Sequence, residues 1–186
     1  MSPDPVDGAA ASRRTSSSGP EPTEDDRGLS LPVRDSLLAA GWRPGRRVDI
    51  TDTVDRLTHV GYPAGEPFRT FMAEFRGLEI QPALSAGPNF MNDEPYWITP
   101  NRGVRYRDEA RLLNDLFGEE HDPVGWWLSS SHVFMSTGGR VRAHLDGLIW
   151  DLGETPLAAL EFAVRPTRPL LCTWSAPGRT PWPKRT

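Results

Sequence analysis

Cysteine is nearly absent. Cys172 is the only one in 186 residues, so no intrachain disulfide can form and no cysteine-rich metal site can be built. That economy suits a reducing compartment, and a cytoplasmic location is expected. No apolar run approaches the ~18 residues of a helix that crosses a bilayer, which excludes a helical membrane protein. The opening Met1-Ser2-Pro3-Asp4 has no basic stretch followed by an apolar one, so export through a signal peptide is not expected. Positive charge is also scarce, with 21 Lys and Arg against 25 Asp and Glu and a net charge of −4. Nucleic-acid-binding domains are ordinarily basic, so no nucleic-acid partner is expected. No glycine-rich loop precedes a lysine in the pattern that cradles phosphate. Ser129-Ser130-Ser131-His132 lacks the glycines of a nucleophile elbow.

Proline and glycine, by contrast, are plentiful at 19 and 17 residues, and they divide the chain unevenly. Residues 1–28 hold no aromatic residue and one β-branched apolar one, Val6. Such a segment buries too little to offset its ordering entropy and is expected to be disordered. Residues 165–186 carry five basic residues, five prolines and no acid. They read as an extended tail, with Leu170, Leu171 and Trp174 packing back. The remaining part, 29–164, has thirteen basic and nineteen acidic residues, a net of −6.

Within 29–164 the punctuation predicts helices first. Ser30 and Pro32 open one that Gly41 closes, and Thr51 or Asp52 caps a second that Gly61 closes. Glu66-Pro67 starts a third, with Phe68, Phe71, Met72 and Phe75 at helical spacing. A later helix, about Asp108 to Phe117, turns Leu112, Leu113, Leu116 and Phe117 inward. Strands are predicted at 78–80 and 96–99, then at 124–131, 132–137, 141–145 and 148–152. Gly138-Gly139 supplies a two-residue hairpin turn. Thr155 and Pro156 open a final, mostly apolar helix that stops before Pro166. The fold class is therefore α+β, with helices packed on one side of a mainly antiparallel sheet.

Candidate chemistry is thin. Glu119-Glu120-His121-Asp122 is the best set for a divalent metal or acid–base work, but its simpler reading is a solvated loop after Gly118. With a two-residue turn at Gly138-Gly139, Val133 pairs with His144 and the sheet separates His132 from His144. A one-residue slip would bring them together. Trp42, Arg43, Arg46 and Arg47 make a small basic–aromatic patch, read as a solvated turn. No metal, no cofactor and no catalytic residue is expected.

A protein partner fits better. Strand neighbours point to opposite faces. Grouping Trp126 with Leu128 turns Trp126 inward and Trp127 outward. Tyr96 and Ile98 likewise go inward, and Trp97 goes out with Thr99. Exposed indoles with an acidic rim make interface anchors, and Asp93, Glu94, Glu119, Glu120 and Asp122 are the candidate rim. The oligomeric state is left open.

Ordered stretches of the chain resemble one family. They are Ala40-Gly41-Trp42-Arg43-Pro44-Gly45-Arg46-Arg47-Val48-Asp49 and Phe71-Met72-Ala73-Glu74-Phe75-Arg76-Gly77-Leu78-Glu79-Ile80. Pro123-Val124-Gly125, Gly139-Arg140-Val141, Asp146-Gly147 and Asp151-Leu152-Gly153-Glu154-Thr155 follow in order. Together, over roughly 33–164, they resemble the SUKH superfamily of bacterial immunity proteins, in its third subgroup. The resemblance implies an α+β domain without catalytic residues that binds and neutralises a cognate protein toxin, often a nuclease. An adaptor of the same superfamily, and a metal-dependent hydrolase built on Glu119, Glu120, His121 and Asp122, are the alternatives.

Overall fold

A computed structural model describes residues 28–100 and 105–183. All but the last residue of the N-terminal segment expected to be disordered lies outside the described residues. Three helices come first: α1 (Leu31–Ala39), α2 (Thr51–His59) and α3 (Glu66–Phe75). Strands β1 (Glu79–Ile80) and β2 (Tyr96–Trp97) follow, then α4 (Arg107–Phe117). A run of four strands comes next: β3 (His121–Trp127), β4 (Ser131–Ser136), β5 (Val141–Leu145) and β6 (Leu148–Gly153). Helix α5 (Pro156–Val164) and strand β7 (Leu171–Ser175) complete the fold. The seven strands lie in chain order, each antiparallel to its neighbours. The fold is α+β, as the element pattern implies. No helix among the described residues is long and apolar enough to cross a membrane.

The helix starts show how local signals are used. Thr155 caps α5 as expected, its hydroxyl oxygen accepting from the Ala158 amide at 3.2 Å. At α2 neither Thr51 nor Asp52 caps. Asp49 accepts from the Thr51 amide at 2.9 Å and hydroxyl at 2.7 Å. The Thr51 amide bond, then the hydroxyl bond, holds the Asp49 carboxyl below its ordinary range. Ser30 makes no cap bond at α1. Its amide and hydroxyl both donate to the Glu161 carboxylate, at 3.0 and 2.8 Å, which ties α1 to α5.

Residues paired across strands share a face. On one face lie Asp122, Trp127, Val133, Met135, Val141 and Ala143, all buried. Helices α1, α3 and α5 close this side, adding Val33, Leu37, Phe68, Phe71, Phe75, Leu160 and Phe162 to the core. Helix α4 lies against the other face, because Glu109 bonds His132 and His144 there.

Two turns set the registers. The β4–β5 loop has three residues, not two. The Ser136 amide donates to the Arg140 carbonyl and the Gly139 amide to the Ser136 carbonyl, both at 2.8 Å. A two-residue turn with both φ angles positive was expected, but only Gly139 adopts one (+92°). The register therefore slips by one and His132 pairs directly with His144. Between β5 and β6, Asp146 (φ 51°) and Gly147 (φ 77°) do form a two-residue turn under the Leu145–Leu148 pair.

Gly125 fixes the β2–β3 contact. A Cβ built there would lie 1.9 Å from the Trp97 carbonyl oxygen. Gly125→Ala is expected to push β2 off β3 at a cost in the upper part of about 1–3 kcal/mol. Urea denaturation is the check. An unchanged midpoint would show that β2 can shift freely.

The C-terminal segment is more than a tail. Leu171–Ser175 pairs with β6 as the last strand, and Leu170 and Cys172 are buried. The expected extended segment 165–186 is corrected to that extent. Alternation makes the difference: Cys172 and Trp174 face the domain while Leu171 and Thr173 face out.

Candidate partner-binding face

The face that carries α4 is only partly covered. Strands β1, β2 and β3 place Glu79, Trp97 and Trp126 in one cross-strand row, because Glu79 pairs with Trp97 and Trp97 with Trp126. Both indoles are half-buried, while their neighbours Tyr96, Ile98 and Trp127 are buried. The inward assignment of Tyr96 and Ile98 matches the structure. The assignment on β3 is reversed. Trp127 is 1% exposed. Its ring meets Phe90 edge-on at 5.7 Å and Phe162 at 5.9 Å. Its indole N–H donates to the Ala163 carbonyl at 3.1 Å, near the C-terminal end of α5, where helix carbonyls lack intrahelical partners. Trp127 is therefore withdrawn as an exposed anchor, and Trp126 takes its place beside Trp97. Leu128 misled the assignment. It belongs to the turn, with φ of 24°, and does not share the strand's alternation.

A polar and aromatic group holds Trp126 in place. The Trp126 ring meets His132 edge-on at 5.2 Å and Tyr106 edge-on at 6.3 Å, and Tyr106 stacks on His132 at 3.5 Å. His132 and His144 each direct Nδ1 at the same oxygen of Glu109, at 2.8 and 2.7 Å. Burial disfavours the Glu109 carboxylate, but the two imidazole hydrogen bonds and charges outweigh it and pull its carboxyl down to about 2. Farther along, Arg142 donates to His121 Nε2 at 3.0 Å and lies over the Phe117 ring at 3.8 Å. An arginine can only donate, so Nε2 carries no proton and Nδ1–H faces the Glu119 carbonyl and Asn114 at 2.9 and 3.0 Å. Burial, then the Arg142 charge, lowers the His121 imidazole to about 4. These contacts fasten α4 to the sheet with imidazoles and one guanidinium where an apolar seam would be usual.

The expected acidic rim breaks up. Asp93 is exposed and Glu94 half-buried, just ahead of β2. Glu119 and Glu120 precede β3, and at ~3.3 Å per residue they lie about 20 Å along the strand from Trp126. Glu119 is half-buried and bent toward the β4–β5 loop, with its carboxyl held below the ordinary range by the Ser136 hydroxyl. Asp122 is buried and drops out of the rim. Its two oxygens accept from the Ala64 and Gly65 amides at 2.8 and 2.9 Å, just ahead of α3. Burial still pushes its carboxyl up. Strand β3 begins at His121, three residues earlier than predicted, and this draws Asp122 inside.

The same placement separates the hydrolase candidates. His121 and Asp122 point to opposite faces, and Glu120 is exposed. Among the described residues no group of three or more His, Cys, Asp or Glu can hold a metal ion. The basic–aromatic patch dissolves as well: Trp42 is buried with its N–H on Glu74, and Arg46 donates to the carbonyls of Glu74 and Arg76.

Sequence reasoning missed Glu109, and Glu79 as a neighbour of the indoles. Glu109 carries a weak signal, since it sits on the face of α4 that also holds Ala110 and Leu113. Glu79 gives none, because a strand of two residues has no period to read.

The SUKH-3 immunity protein family model matches residues 29–164. Comparison with curated proteins and with solved structures gave no match.

Proposed function

Because the chain belongs to the SUKH-3 immunity protein family, we propose that it binds a cognate bacterial protein toxin in the cytoplasm of the producing cell and neutralises it by occlusion. The toxin is a basic protein, a nuclease by preference, and the inhibitor uses no cofactor and performs no catalysis. The observation that carries the reading is the Trp97–Trp126 pair, two half-buried indoles side by side on the part of the sheet that α4 leaves open. Indoles in such a position are effective interface anchors. Asp93 and Glu94 lie next to them in the chain, and the acidic excess of 29–164 speeds encounter with a basic partner. Occluding an active site takes only ~800 Å² per partner.

The test is co-expression with toxin-like open reading frames that neighbour the gene. Growth rescue and a purifiable complex are expected with one of them. Trp126→Ala is expected to weaken that complex by about 2 kcal/mol or more, the loss typical of an anchor residue, while costing less stability than Trp127→Ala. Absence of rescue by every neighbouring frame would end the toxin reading. A complex formed only with a host protein would favour an adaptor.

A further inference from the structure

The end of the sheet at β1 contains a carboxylate with no counter-ion among the described residues. Glu79 is exposed, and among the described residues its carboxylate meets only the Gln81 amide, at 3.4 Å. It faces the same side as Trp97, its direct partner across β1 and β2. A groove of about 530 Å³ runs over this point, walled by Gly77, Leu78, Glu79, Trp97, Thr99 and Trp126. Strand β1 is the edge of the sheet, so the groove lies at the sheet's end.

We propose that this groove receives an arginine side chain of a basic protein partner, with Glu79 binding the guanidinium and the Trp97 indole lying against its plane. The proposal rests on the reading that the chain acts by binding a protein, and it names the chemistry that the open face selects. Three features favour arginine. A planar guanidinium can bond a carboxylate and stack on an indole at the same time, which an ammonium does less well. The fold itself uses arginine over an aromatic ring repeatedly: Arg142 over Phe117 at 3.8 Å, Arg168 over Phe162 at 3.9 Å and Arg107 over Tyr62 at 4.4 Å. With β7 included, residues 29–183 hold sixteen basic and nineteen acidic residues, and this net of −3 draws a basic partner toward the domain.

The experiment is a titration of the full chain with N-acetyl-argininamide, followed by the indole N–H signals in a ¹H–¹⁵N spectrum, with N-acetyl-glutaminamide as the neutral probe. The expected result is a saturable shift of the Trp97 indole signal with the arginine probe alone. Glu79→Gln is expected to weaken binding roughly fivefold, the size of one exposed charge interaction. Trp97→Leu is expected to weaken it roughly tenfold. Raising the salt to about 1 M, where the screening length is ~3 Å, should weaken the wild type and leave Glu79→Gln little changed. Thermal midpoints of both variants report whether they remain folded, and Glu79→Gln is an exposed change that is expected to leave the fold intact. An equal response to the neutral probe, an unchanged affinity in folded Glu79→Gln, or no saturable shift overturns the proposal. Failure of the co-expression assay alone counts against the toxin reading, because the probe titration does not depend on the partner's identity.

Discussion

Trp127→Ala is expected to lower stability by about 3–5 kcal/mol, the cost of emptying a large aromatic core site. The indole is 1% exposed, fits between Phe90 and Phe162, and satisfies an α5 carbonyl. Its removal leaves a void and takes one donor from Ala163, whose carbonyl keeps only Asn92 at 2.8 Å. Trp127→Phe retains most of the volume and loses the N–H, so about 1–2 kcal/mol is expected from the missing hydrogen bond and the poorer fit. Trp126→Ala, one residue earlier, is expected to cost clearly less than Trp127→Ala, because its ring is half-buried on the other face. Urea denaturation of the three variants is the measurement. Equal losses for the two alanine variants would show that the strand faces are wrongly assigned.

The second large effect is expected from Glu109. Its carboxyl lies near 4.5 in an unfolded chain and at about 2 in the fold. A carboxyl depressed by folding stabilises the fold fully above its unfolded value, and that contribution disappears as the pH falls through the folded value. The window is therefore from about 4.5 down to about 2, and the contribution is about 3 kcal/mol. Glu109→Gln removes the titration while leaving a carbonyl oxygen that can accept from one imidazole. The wild type is expected to lose its advantage over Glu109→Gln as the pH falls across that window. Chemical denaturation at a series of pH values gives the difference curve. The difference isolates Glu109 from groups shared by both proteins, including Asp122, whose raised carboxyl acts in the opposite direction. A flat difference curve would mean that the two imidazoles do not depend on this charge.

Much of the architecture was legible along the chain. The apolar spacing of Phe68, Phe71, Met72 and Phe75 placed α3 (Glu66–Phe75), and Thr155-Pro156 marked the start of α5. The α+β class followed from such segments, because helix and strand periods are properties of neighbouring residues. The site was less legible. The alternation of Trp126 and Trp127 told that they face opposite ways, yet both faces of this strand are lined by aromatic rings, so alternation could not say which one α5 covers. Asp122 read as a surface acid because nothing near it in sequence announces the amides of Ala64 and Gly65, 58 and 57 residues away.

The sequence by itself determined the class of the fold, the acidic balance of its main part and most helix limits, since composition and local period are fixed before any long-range contact forms. Only the tertiary structure decided which indoles remain at the surface and that His132, His144 and Glu109 meet. The meeting of the two histidines hangs on a three-residue loop instead of a two-residue one, and the burial of Trp127 hangs on which face α5 covers. One step of register turns every side chain of a strand to the opposite face. That step is set by which glycine takes a positive φ, a choice that depends on the packing of the whole sheet.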